Sequence, residues 1–267
     1  MRETQAAIQP DSQFQKAAEA ILRAAQQAQA MPPLSGEYPQ LSVDDAYRIQ
    51  DLLAQARQQE GASFAGYKIG LTLRSAQLAS NLTEPIHGRI MRGAVYDSGA
   101  WLSAAKFIRP HVEVELAFVM RRDITERDMS LDDIMAATEF IIPALEVVDH
   151  RMNSPRTISD TIADNSAFAA IVLSAQRFRP NDIDAAWIGA TLSRNGLVEE
   201  SGVSAVGMGH PGACVAWLAN RLLEKGQSLR KGDIVMSGAF ARSVSVAGGD
   251  NIHADYGPLG TIEVSFR

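Results

Sequence analysis

Two rhythms of apolar and polar residues divide the chain. From Phe14 to Ala30, Ala, Gln, Leu and Glu predominate, with Ile21, Leu22 and Ala25 at helical spacing, until Pro32 and Pro33 stop the run. Ser42 opens a second helix. Asp45 follows its hydroxyl by three residues in a variant of the capping box, and Ala46, Ile49, Leu52, Leu53 and Ala56 form the stripe that Gly61 ends. Residues 1 to 60 thus read as a helical N-terminal region. Beyond Gly61 the period shortens to that of strands. Short runs rich in Val, Ile and Phe predict strands at Ala65–Gly70, His111–Met120, Ile141–Asp149, Ala167–Ser174, Ala190–Arg194, Leu197–Ser201, Ile234–Ser237 and Gly260–Phe266. Asn195-Gly196 predicts a tight hairpin turn. Helices are expected at Leu131–Thr138 and, after His210-Pro211-Gly212, from Pro211 to Glu224. The fold class is α+β: a helical N-terminal part packed on a mixed, barrel-like β domain spanning 61–267.

Composition narrows the possibilities. With 267 residues, 46% hydrophobic and 21% charged, the chain has ample material for a core and is too apolar for intrinsic disorder. Lys and Arg total 25 against 31 Asp and Glu, a formal charge of −6 that argues against a nucleic-acid partner. Cys214 is the single cysteine, which rules out an internal disulfide or a cysteine-based zinc site and fits a reducing compartment. The longest uncharged stretch, Ser201 to Asn220, is broken by glycines and Pro211, so no membrane segment is expected. The polar start of the chain lacks a signal-peptide pattern, and the expected location is cytoplasmic.

Candidate chemistry concentrates in carboxylates. Strand alternation puts Glu113 and Glu115 on one face of His111–Met120, followed there by Ala117 and Val119. If both faces are packed, the adjacent charges repel and lose hydration, a conflict that a divalent cation with oxygen ligands resolves, as Mg²⁺ or Mn²⁺ would. The alternative is a solvated strand face. Glu146 lies in Ile141–Asp149, a run apolar on both faces, where a carboxylate must be paired, protonated or metal-bound; Arg151 is one possible partner. Lys68 stands between Gly66 and Gly70, positions that allow close approach of a ligand or another backbone, although a lone lysine is more often at the surface. Asp164-Asn165-Ser166 and Ser237-Gly238 are polar or small segments suited to turns or to ligand contact. No phosphate-binding glycine loop, dinucleotide fingerprint or nucleophile elbow is present.

The ordered set Lys68-Ile69-Gly70-Leu71-Thr72, Val112-Glu113-Val114-Glu115, Pro143-Ala144-Leu145-Glu146, Ala163-Asp164-Asn165, His210-Pro211 and Ser237-Gly238 resembles the 2-oxo-alkenoate hydratases and 4-oxalocrotonate decarboxylases of aromatic catabolism, relatives of fumarylacetoacetate hydrolase. The resemblance covers about residues 40 to 267. Phe107-Ile108-Arg109-Pro110 and Asp255-Tyr256-Gly257 look most like the 2-oxohept-4-ene-1,7-dioate hydratase branch. It implies a Mg²⁺ or Mn²⁺ ion on Glu113, Glu115 and Glu146, Lys68 against a 2-oxo acid as catalytic residue, and Asn165, Ser237 and Gly238 in substrate binding. It also implies homo-oligomers and possible association with a partner enzyme of the pathway. A cation chelating the 2-oxo acid would stabilise the enolate needed for hydration or for decarboxylation. One position departs from the hydratase pattern: a Glu-Pro-Asp-aromatic-Gly stretch reads here Glu84-Pro85-Ile86-His87-Gly88, an aliphatic replacement common in the decarboxylases. Hydratase is the first expectation, decarboxylase the second. Carbon–carbon bond hydrolysis and a non-catalytic partner subunit are remoter readings.

Overall fold

A computed structural model describes residues 10–267. In chain order its helices are α1 (Pro10–Gln27), α2 (Leu34–Glu37), α3 (Val43–Gln59), α4 (Arg74–Ala79), α5 (Leu131–Ala137), α6 (Ile158–Ala163) and α7 (Pro211–Glu224). The strands are β1 (Phe64–Gly70), β2 (Ile86–Met91), β3 (Val95–Asp97), β4 (Ala100–Leu102), β5 (His111–Met120), β6 (Thr138–Val148), β7 (Phe168–Leu173), β8 (Gly189–Arg194), β9 (Leu197–Val203), β10 (Ile234–Met236), β11 (Val244–Ser245), β12 (Asn251–Asp255) and β13 (Thr261–Phe266). The architecture is α+β.

Local chemistry explains the helix starts. Ser42, Ser130 and Thr157 each accept from the backbone of an Asp three residues on, and that Asp reaches back to the cap backbone, giving capping boxes for α3, α5 and α6. The ring of His210 accepts from Gly212 N at the start of α7. Asn195 and Gly196 both adopt left-handed φ, which matches a two-residue turn to the twist of β8 and β9.

The large sheet runs β2-β1-β10-β5-β6-β7-β3, with β11 beside β5, and the smaller one runs β4-β13-β12-β8-β9. One face of the large sheet, with Val112, Val114, Leu116, Phe118, Leu145 and Val147, packs on the smaller sheet and on α7 in the main core. The other face carries its own apolar cluster, including Ile90, Ala117, Ile142, Ala144, Phe168, Ile171 and Met236. That second cluster is the inside of a coil. Asn165, just before β7, donates from Nδ2 to Arg89 O and accepts from Arg89 N on β2, although four strands separate β7 from β2 in the sheet order. Its amide acts as a short substitute for a strand and holds the two ends of the curl together. Gly88 permits this contact, since a Cβ there would lie 2.4 Å from Asn165 O.

A third cluster joins α1, α2 and α3 to Ile86, Met152, Ile162 and Ala163. Buried Gln50 of α3 donates to His87 O and Ile162 O, and Ser35 of α2 donates twice to Asp160. These bonds brace β2 and α6 from outside. No described helix is long and apolar enough to cross a membrane.

Candidate metal centre and active site

The carboxylates meet at one end of the coil. β5 and β6 are antiparallel in a register that sets Glu113 directly opposite Glu146 and Glu115 opposite Ala144. Glu113, Glu115 and Glu146 each contribute an oxygen to a group whose members lie within 4.8 Å of one another. Glu115 and Glu146 are 1% and 0% exposed, and Glu113 is half-buried at the cavity wall. The two-sided burial that the flanking residues anticipate is therefore present, and the solvated-face alternative is not what folds.

Burial and mutual repulsion make the cluster unstable as three free charges. Burial, then Glu146, pushes the Glu113 carboxyl up to about 7 against the opposing pull of Lys68. Burial, then Glu146 and Glu113, holds Glu115 well above the usual carboxylate range. Lys68 is 4% exposed, and its Nζ lies 3.0 Å from Glu146 Oε1. Burial lowers its ammonium, but Glu146, Glu113 and Glu115 outweigh that and raise it, so it stays charged. Even so, Glu115 Oε1 and Glu146 Oε2 are buried without a hydrogen-bond partner, and Glu146 Oε1 has only its ion pair with Lys68. Orphaned oxygens converging on one point are a donor set that suits a hard divalent cation of the Mg²⁺ or Mn²⁺ kind.

Other groups fix this geometry. Gly238 N donates to Glu115 Oε2 at 2.9 Å, and Gly238 adopts φ 103 where a Cβ would strike the Thr72 side chain. Neighbouring Ser237 donates from its backbone to Leu116 O, while its Oγ is buried without a partner. Tyr256, 1% exposed, donates its hydroxyl toward Ala144 O at 2.6 Å and Glu115 O at 3.2 Å, pinning β5 and β6 where the carboxylates emerge. Arg151, considered from sequence as a partner for Glu146, is instead committed to Asp164 and to the carbonyls of Asp149, Asp164 and Phe168.

A cavity of about 940 Å³ opens beside the cluster, lined by Lys68 and Glu113 among others. Ile86 lines it too, whereas His87, one place on along β2, turns to the opposite face and stacks on Tyr47 at 4.6 Å. His87 does not stand in for the missing aspartate. Leu71, Ser166 and Ala167 line the same cavity with left-handed φ of 55°, 52° and 60°. Such backbone is costly for non-glycine residues and gathers at functional sites. Asn165 shares the left-handed turn but spends its amide on β2, so its bearing on the cavity runs through Ser166 and Ala167. Sequence reasoning overlooked Tyr256 as a brace and the strained turn; the run of short polar residues Asp164-Asn165-Ser166, tolerant of left-handed backbone, was the available signal.

Comparison with known proteins places the chain in a family. Residues 88–267 match the fumarylacetoacetate (FAA) hydrolase C-terminal family model. The 2-oxo-hept-4-ene-1,7-dioate hydratase of Escherichia coli is 36% identical over 256 residues, covering 93% of this chain and 96% of that protein. A 4-oxalocrotonate decarboxylase of Pseudomonas putida is 31% identical, covering 93% and 95%. The structure of 4-oxalocrotonate decarboxylase from Pseudomonas putida G7, complexed with magnesium and adipate, superposes with a TM-score of 0.94 at 28% identity, over 99% of this chain and all of that one. A matching family domain, a hydratase relative spanning nearly the whole chain and a shared fold converge: the chain belongs to the fumarylacetoacetate hydrolase family.

Proposed function

We propose that this protein is a divalent-cation-dependent lyase that hydrates a 2-hydroxydienoate or 2-oxo-alkenoate, such as 2-oxohept-4-ene-1,7-dioate, in the breakdown of aromatic compounds. The observation that carries the reading is the convergence of Glu113, Glu115 and Glu146 with Lys68 at the wall of one cavity. The 36% identity to a hydratase over nearly the full chain favours hydration.

In this reading the three glutamates hold Mg²⁺ or Mn²⁺. When bound, the ion supplies Lewis acidity toward a chelating 2-oxo acid. The rest of the work falls to the chain. Lys68 keeps its proton on Nζ and offers a charged donor to the oxygen that becomes enolate-like, which is electrostatic stabilisation aimed at developing charge. Gly238 N and Tyr256 Oη keep Glu115 aimed, and Ser237 Oγ is a free polar atom next to them. Asn165 serves as a positioning residue by closing the sheet beside Ser166 and Ala167. The helices before about residue 60 act as a scaffold for the catalytic remainder, supported by the bonds of Gln50 and Ser35. Homo-oligomers and a partner enzyme belong to the same reading through the family resemblance, and a cytoplasmic location through the composition of the chain, with its single cysteine.

Decarboxylation of a 2-oxo-hexenedioate is the second reading, favoured by one observation: Ile86 presents an aliphatic side chain to the cavity where the hydratase pattern has an aspartate. Incubation of the purified protein with Mg²⁺ and each substrate type separates the two. A hydroxylated product without CO₂ is expected; CO₂ release without hydration would reverse the order.

A further inference from the structure

One cation on the cavity wall has no task in this chemistry. Arg156, in the loop between β6 and α6, lines the cavity together with Lys68, Glu113 and His150. Among the described residues its guanidinium makes a single hydrogen bond, from Nη1 to Ser154 Oγ at 3.0 Å, and no ion pair. The carboxylates that act on it, Asp164 and Asp160, are committed elsewhere. Asp164 is held by Arg151, and Asp160 accepts from Ser35 and Thr157. A partly buried guanidinium whose neighbouring carboxylates are already bonded to other groups can receive a further anion, and its planar fork suits a carboxylate.

Its placement suits the far end of a chelated substrate. Glu146, Val148 and His150 alternate along β6 and just beyond it, and both Val148 and His150 line the cavity. At about 3.3 Å per residue, Val148 stands roughly 7 Å along the wall from Glu146, and His150 and Arg156 follow beyond the end of the strand. The wall is therefore charged at the cluster, apolar at Val148 and Ile86, and cationic at Arg156. Other arginines are less suited. Arg89 pairs with Asp51, and Arg242 is 87% exposed in its side chain and paired with Glu200 at 3.0 Å. Neither Arg74 nor Arg109 lines this cavity.

We propose that Arg156 binds a second, distal carboxylate, with His150 beside it, and thereby selects 2-oxo dicarboxylates over 2-oxo monocarboxylates of equal length. The inference rests on the cation-dependent 2-oxo acid reading and assigns the residue that sets its specificity. His150 Nδ1 is buried without a partner, so a polar atom is also available near that end.

The test is calorimetric binding of 2-oxoadipate and 2-oxohexanoate to the full-length protein loaded with Mg²⁺. The two acids differ only in the distal carboxylate. The wild type is expected to bind 2-oxoadipate roughly 10- to 100-fold more tightly, the range of one charge-assisted hydrogen-bonded contact. Arg156→Met removes that preference and leaves 2-oxohexanoate affinity unchanged, Arg156→Lys keeps part of it, and Arg242→Met keeps all of it. A wild type without preference, a preference that survives Arg156→Met, or one lost in Arg242→Met overturns the assignment. If Arg156→Met loses both ligands, Arg156→Lys decides, and its failure to retain a partial preference also overturns it. Should neither acid bind the wild type, the underlying reading falls as well. A clear preference without any turnover would remove the lyase chemistry and leave Arg156 in its role.

Discussion

Lys68 Nζ lies 3.0 Å from Glu146 Oε1 although β10 and β5 stand between their strands in the sheet. In a flat sheet the backbones would be about 14 Å apart. Coiling of the sheet brings the ammonium over the carboxylates. Replacing it with an apolar isostere, Lys68→Met, is expected to lower kcat by about 10²-fold or more, the scale of losing one preorganised oxyanion donor. Metal affinity should hold or rise, since a repelling cation is gone. Steady-state kinetics with parallel Mn²⁺ titration would reveal this; an unchanged kcat removes Lys68 from the chemistry.

The raised carboxyls tie metal binding to pH. Glu113 moves from an ordinary value of 4.5 to about 7 in the metal-free protein, so the folded state binds more protons than the unfolded one between these values. Its contribution to stability is present below about pH 4.5 and is lost as pH rises through about 7; Glu115, raised too, adds in the same direction. A cation must displace those protons. Melting curves in chelator and in excess Mn²⁺ should therefore diverge more at pH 8 than at pH 5. Equal stabilisation at both would contradict a carboxylate-held cation.

The same cluster predicts the outcome of ligand removal. The pair Glu113→Ala and Glu146→Ala, combined, deletes two of three oxygens facing one point and should weaken Mn²⁺ binding by more than the 10–100-fold typical of outer partners of a metal site. Retained affinity and turnover would defeat the assignment.

Tyr256→Phe isolates a brace from the chemistry. The hydroxyl bonds the backbone of both Glu115 and Ala144, and its loss leaves buried carbonyls short of a partner. A cost of about 1–3 kcal/mol in denaturant unfolding is expected, with a weaker cation site. Unaltered stability and metal affinity would mean that β5 and β6 hold their register without it.

Gly88→Ala probes the closure of the sheet. The added methyl would meet the Asn165 backbone at 2.4 Å, a contact no side-chain rotation relieves. The left-handed turn carrying Ser166 and Ala167 must shift, so kcat/KM should fall further than stability accounts for. Activity tracking folded fraction alone would separate the turn from catalysis.

Periodic segments were legible in the chain itself. His111–Met120 and Pro211–Glu224 form with the expected bounds, and α3 starts on Ser42 with the expected box. Strands with weak periodicity were not legible: Ile86–Met91, with a glycine and a charge in six residues, and Asn251–Asp255, with alternating short polar groups, take their conformation from the strands they pair with. The helix Ile158–Ala163 hides within a segment that reads as turns because its polar residues serve as caps and clamps.

Alternation alone put Glu113 and Glu115 on one side of a strand, and the apolar company of Glu146 required that it be compensated. Those are consequences of chain geometry and solvation, and they travel with the sequence. Which charge compensates Glu146 was decided only in three dimensions: Arg151 is nearer along the chain but is captured by Asp164, and the curl of the sheet delivers Lys68. The brace from Tyr256, the clasp from Asn165 and the unpaired Arg156 at the far wall likewise join segments distant in sequence. A periodic pattern encodes which way a side chain points, whereas the partner it finds there depends on how the sheets close.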